Sequence, residues 1–181
     1  MRHTRAVFHL VAVVILAVLA LPHASRAEEY MARDDLLALA FPGATPAPQT
    51  LWLNDALREQ ARAEVGLAPS TLRVRYWQAG ARTAWILDEI GKEQPITLGI
   101  VVDAGHIADL RVMAFRESRG WEIRHDFFTR QFAGVGLVNR GKLDHGIDGI
   151  TGATLSVNAT DRAARLALWL ARLADTLAAG R

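Results

Sequence analysis

The sequence predicts an α+β domain: a small antiparallel β-meander packed with helices, closed by a long C-terminal helix that follows a glycine-rich loop. Three observations carry this. Four β-patterned runs between residues 71 and 115 are joined by turns too short for crossover helices. Two helical stretches precede them. An apolar stripe at helical spacing fills the last 25 or so residues.

The chain has 181 residues, 51% of them apolar, enough for one modest domain with a core. It contains no cysteine. That excludes disulfides, iron–sulfur clusters, thiolate zinc sites, a cysteine nucleophile and lipid attachment through an N-terminal cysteine.

Residues 1–27 read as a secretory signal. Met1 to Arg5 is a basic start, and Ala6 to Leu21 is apolar apart from His9. Pro22 ends that run, and Ser25-Arg26-Ala27 places small residues at −3 and −1 of a cut after Ala27. The apolar run falls short of the ~20 residues a spanning helix needs, which favours cleavage over an uncleaved anchor. Without Arg2, Arg5 and Arg26, the 21 basic residues fall to 18 against 19 acidic ones, a net charge of about −1. A clustered basic face is missing, so no nucleic acid is expected as partner. The expected location is the periplasm.

Residues 28–70 read as an N-terminal helical segment before a domain over 71–181. Asp34 to Phe41 forms a short helix with acids in its first turn, stopped by Pro42-Gly43. Pro46 and Pro48 keep the next stretch extended. Asn54 caps a second helix over Asp55 to Val65, ending at Gly66. Thr71 to Trp77 alternates, with Leu72, Val74 and Tyr76 on one face and arginines on the other. Arg82 to Ile90, Ile96 to Val102 and Ile107 to Phe115 follow as strands across turns at Gly80, Gly91 and Gly105. Asp126 to Phe132 reads as a short helix, and Gly134 to Gly149 as loop. The last helix runs from about Ser156 to Ala178. Leu155, Ala159, Leu166, Leu170, Leu173 and Leu177 lie on its apolar face, and Asp161, Arg165, Arg172 and Asp175 on the other.

The run Asp148-Gly149-Ile150-Thr151-Gly152-Ala153-Thr154-Leu155-Ser156 carries the chemistry. Its glycines permit close backbone approach, and Ala153 adds little bulk. Thr154 presents a hydroxyl at the start of a long helix, where unpaired N–H groups and the helix dipole favour a phosphate. On spacing alone, an N-cap at Thr154 or Ser156 with turn glycines accounts for the same run.

Asp148 to Thr154 resembles the flavinylation signature of the FMN-binding domain family: an aspartate, two residues, then Ser/Thr-Gly-Ala-Thr. Glu117-Ser118-Arg119-Gly120 resembles that family's Glu-Ser/Thr-x-Gly stretch, and Gln131-Phe132-Ala133-Gly134 its Gln-Phe-x-Gly stretch. The likeness covers roughly residues 85–175 in the family's order. The family includes flavoprotein subunits of sodium-pumping and related bacterial redox complexes. It implies FMN bound covalently to Thr154 through a phosphodiester, attached by an FAD:protein FMN transferase. It also implies a pocket loop of Asp148, Gly149, Thr151, Gly152, Ala153, Leu155 and Ser156, with Glu117 and Ser118 beside it.

The expected role is electron transfer with membrane or periplasmic redox partners. The alternatives are an exported flavin-dependent reductase of a small acceptor and a non-redox module. No dinucleotide fingerprint and no convincing acid–base pair stand out, so no catalytic residue is assigned. Gly43-Ala44-Thr45 repeats the last three letters of the signature, but Leu39 and Pro42 stand where it needs Asp and Ser/Thr, so Thr45 reads as a turn residue. Trp121, Phe127 and Phe128 are candidates to cover the flavin ring, though aromatics are more often core. Arg140 and Lys142 are candidates to offset phosphate charge. Asp144, His145 and Asp148 fit no metal-site spacing, and no metal is expected.

Overall fold

The computed structural model describes residues 28–180; the leader read over residues 1–27 lies outside them. The expected α+β fold is present. The elements are β1 (Glu28–Glu29), α1 (Arg33–Ala40), β2 (Gln49–Trp52), α2 (Asp55–Val65), β3 (Arg73–Ala79), β4 (Arg82–Ile90), β5 (Pro95–Asp103) and β6 (His106–Phe115). Then come a 3₁₀ turn at Trp121–Arg124, α3 (Asp126–Thr129), a second 3₁₀ turn at Arg130–Phe132, the short pair β7 (Leu137–Val138) and β8 (Lys142–Leu143), and α4 (Thr154–Ala179).

Six strands form one antiparallel sheet in the order β1-β6-β5-β4-β3-β2. The four central strands are the meander that the short turns dictate. The segment 28–70 adds both edges. β2 was legible only as extended chain: four residues are too few to show alternation, and its partner β3 supplies the ladder.

One face of the sheet carries the main core. Trp85, Leu98, Ile100 and Leu110 meet Ala159, Ala163, Ala167 and Leu170 of α4. Small residues let this helix lie close to the strands, so its buried face is wider than a leucine stripe and includes Ser156, Thr160 and Trp169. Leu155 and Leu177 are exceptions to the expected stripe, 50% and 43% exposed. They stand in the first and last turns, where the helix runs past the sheet. Leu72 is another, 57% exposed, because β3 starts one residue later and a bend turns its side chain outward.

The opposite face is covered by α1, whose Leu36, Leu37 and Ala40 pack with Phe41 on Trp77, Ala84, Val101 and Met113. Gly99 makes this possible, since a Cβ there would lie 2.6 Å from a methyl carbon of Leu36. Helix α2 has its Asn54 cap, with Oδ1 accepting from the Leu57 N–H at 2.9 Å. Among the described residues no helix is long and apolar enough to cross a membrane.

Candidate functional site

Three separated stretches converge at the start of α4. A cavity of about 360 Å³ is lined by Gly152, Ala153, Thr154, Leu155 and Ser156, by Glu117, Ser118 and Arg119, and by Lys92. Seven of the ten residues singled out in the sequence stand in this one wall. Asp148, Gly149 and Thr151 do not line it; they lie exposed on the loop that leads in.

Thr154 is the first residue of the 26-residue helix rather than its cap. The cap position is Ala153, which has no side chain to bond the first turn. Thr154 is exposed, as is Leu155 after it, whereas Ala153 and Ser156 are 2% and 4% exposed. The capping alternative is therefore not met by either hydroxyl: Thr154 points outward and Ser156 faces Gly120. Helix geometry leaves the first N–H groups without intrahelical partners, and among the described residues no side-chain cap bonds them. The local turn is fixed by Ala153 N–H donating to Ile150 O at 3.0 Å and Val157 N–H to Ala153 O at 2.9 Å.

Gly120 joins the second stretch to the first. Its φ is +89°, and a Cβ placed on it would meet Ser156 Oγ at 2.3 Å and Ala153 Cα at 3.6 Å. Only a residue without a side chain lets these segments touch. Gln131 joins the third stretch. Its Oε1 accepts from the Asp148 N–H at 2.7 Å, holding the entry of the signature loop. Phe132, next to it, is fully buried and anchors that stretch in the core.

Glu117 is engaged by the chain itself. Its Oε1 accepts from the N–H groups of Lys92, Glu93 and Gln94, at 2.5, 2.6 and 2.9 Å. Burial raises its pKa, but the backbone bonds from Gln94, Glu93 and Lys92 together outweigh this and hold the carboxyl below its ordinary value. It thus fixes the β4–β5 turn, which carries Lys92 to the cavity. Lys92 and Arg119 are the two lining cations that the sequence reading missed. Lys92 sits in a turn some 60 residues before the signature, and the Glu117 bonds, with Arg162 of α4 bonding Glu89 and Ile90 O, bring it near.

The aromatic candidates divide. Phe128 is fully buried, edge-on to Phe132 at 5.5 Å, and is core. Trp121 and Phe127 are 42% and 62% exposed and flank His125 at 5.4 and 6.0 Å. Trp121 directly follows Gly120, and Arg124 lies 4.8 Å from its ring centroid. Arg140 lines a different cavity, beside Glu64 and Arg172. Asp144 bonds the Gly136 N–H and His145, and among the described residues no group of three metal-ligating side chains exists. Thr45 lies in the exposed turn after α1, with no helix behind it.

Residues 91–169 match the FMN-binding domain family. The chain carries an FMN-binding domain. The match begins at the β4–β5 turn held by Glu117 and ends within α4, so it encloses every residue that lines the cavity. No curated protein and no solved structure matches the chain. The cavity of this FMN-binding domain suits a phosphate-bearing cofactor: two cations, two free hydroxyls at Ser118 and Thr154, and the uncapped N–H groups of a long helix.

Proposed function

We propose that FMN is attached covalently to Thr154 through a phosphodiester and that the protein is an exported carrier of electrons. The observation that carries this reading is the placement of Thr154: an exposed hydroxyl on the first residue of an uncapped helix, in a cavity with Lys92 and Arg119. The other hydroxyl of this turn, on Ser156, is buried, which leaves Thr154 the accessible one.

In the attachment step the Thr154 hydroxyl displaces AMP from FAD. Its oxygen bonds to the phosphorus of the FMN half, and its proton leaves with a base supplied by the transferase. The remaining phosphodiester carries one negative charge, which the helix start, Lys92 and Arg119 offset. Gly152 and Ala153 leave the transferase room to reach the oxygen. FMN, when bound, supplies reversible acceptance of electrons. The protein positions it and tunes its surroundings.

Export accords with a covalent link, because a dissociated cofactor would be lost outside the cytoplasm. The basic and apolar composition of residues 1–27 supports it.

The test is expression with and without an FAD:protein FMN transferase, followed by intact mass and in-gel fluorescence after denaturation. The wild type gains one FMN less one water, only with the transferase, and T154A stays folded and unmodified. A denatured T154A protein that retains flavin overturns the assignment. N-terminal sequencing of the exported form begins at or near Glu28; an intact Met1 in the membrane fraction overturns cleavage.

A further inference from the structure

A second cavity lies away from the flavin site, in a fork within the sheet. Strands β3 and β4 are paired only from Tyr76–Trp85 to Ala79–Arg82. Continuing that register would pair Arg75 with Ile86 and Arg73 with Asp88, but the ladder stops. Beyond it, β3 pairs with β2 alone and β4 with β5 alone. A cavity of about 440 Å³ occupies the fork, with Arg73, Val74 and Arg75 on one side and Ile86 to Glu89 on the other.

The phase of the neighbouring ladder says which main-chain groups face it. Leu53 N–H donates to Leu72 O at 2.9 Å. Main-chain groups alternate sides along a strand, so Leu72, Val74 and Tyr76 address β2, while Arg73 and Arg75 address the fork. The same alternation turns Ile86 and Asp88 inward from β4. Two strand edges thus face one another across a gap.

The side chains of the fork are asymmetric. Arg73 and Arg75, two residues apart on β3, project to the same face. Arg33 at the start of α1 joins them in the lining, and Trp52, 67% exposed, stands opposite Arg73 in register. Neither Arg73 nor Arg75 is paired with a carboxylate among the described residues. Of the two acids in the lining, Glu89 pairs with Arg162 at 3.0 Å, and Asp88 accepts from the Thr97 hydroxyl at 2.6 Å. The other face of the fork is apolar, with Val74, Leu87 and Leu166.

We propose that the fork receives an extended acidic segment of a partner protein, laid between β3 and β4 as an added strand. Its main chain bonds the inward groups of Arg73, Arg75, Ile86 and Asp88. Its alternate side chains divide between the arginines and the apolar face, so the fitting sequence alternates acidic with apolar residues over about three to five positions. Residues 1–27 of this chain do not fit, since they carry three arginines and no acid. The inference is independent of the flavin.

The test titrates the purified protein, residues 28–181, with a labelled peptide alternating glutamate and valine. Controls are a lysine–valine peptide, the first peptide N-methylated at alternate amides, and inorganic phosphate. Saturable binding is expected that weakens as salt rises and falls by about tenfold or more with the N-methylated peptide. R73Q/R75Q loses a similar factor while keeping its circular dichroism and flavinylation. Amides of Arg75 and Ile86 gain protection from hydrogen exchange on binding. No binding of the first peptide, equal binding by the double variant, or equal competition by phosphate overturns the proposal.

Discussion

Replacing Gly120 by alanine tests whether the contact between the second stretch and the signature loop holds the site together. Two costs add. Alanine at φ +89° enters the left-handed region, at roughly 1–2 kcal/mol. Its Cβ would stand 2.3 Å from Ser156 Oγ, and relieving that overlap against a buried serine costs about 1–3 kcal/mol. The expected loss is about 2–5 kcal/mol, or about 2–4 °C of Tm per kcal/mol in a chain of this size. The overlap can be removed separately. S156A deletes the colliding oxygen and leaves the backbone strain, so G120A/S156A regains roughly 1–2 kcal/mol over G120A. Urea unfolding of the four proteins gives the coupling, and intact mass gives flavinylation in each. A G120A protein within 0.5 kcal/mol of wild type refutes the close approach. So does a double variant no more stable than the single one.

Two further outcomes follow from the site. Glu117 has a depressed pKa, so its stabilisation is present at and above the ordinary carboxylate pKa of about 4.3 and is lost as pH falls through its lower folded value; the difference in urea midpoint between wild type and E117Q is largest near neutrality and closes in acid. Q131A removes the acceptor for the Asp148 N–H and frees the entry of the loop; flavinylation slows in a timed transferase assay while unfolding stability falls by only about 1 kcal/mol.

Much of the fold was legible because local signals agreed with tertiary demand. Asn54 and Gly66 bound α2 where a cap and a stop are expected, and the four central strands fall between the glycine turns. What escaped depended on partners distant in sequence. β2 is a strand only because β3 pairs with it, and Leu72 turns outward because of a bend that no alternation reveals. In the site, the residues contiguous with the signature were readable, whereas Lys92 reaches the cavity through a turn that Glu117 holds from 23 to 25 residues away. Glu117 is legible through the Glu-Ser-x-Gly likeness, but its three backbone bonds belong to the folded chain.

The glycines around Thr151 suggest a slack tether, yet the loop is fastened at both ends: Gln131 grips the Asp148 amide, and Gly120 lies against Ala153 and Ser156. Thr154 then opens a helix about 39 Å long, seated in the core. The point of attachment is therefore fixed relative to the core, and a group carried there moves within the domain only through the bonds of its own linkage. The fixed base limits the directions from which a second protein can reach the Thr154 hydroxyl, and that narrow choice of approach is itself a form of selectivity.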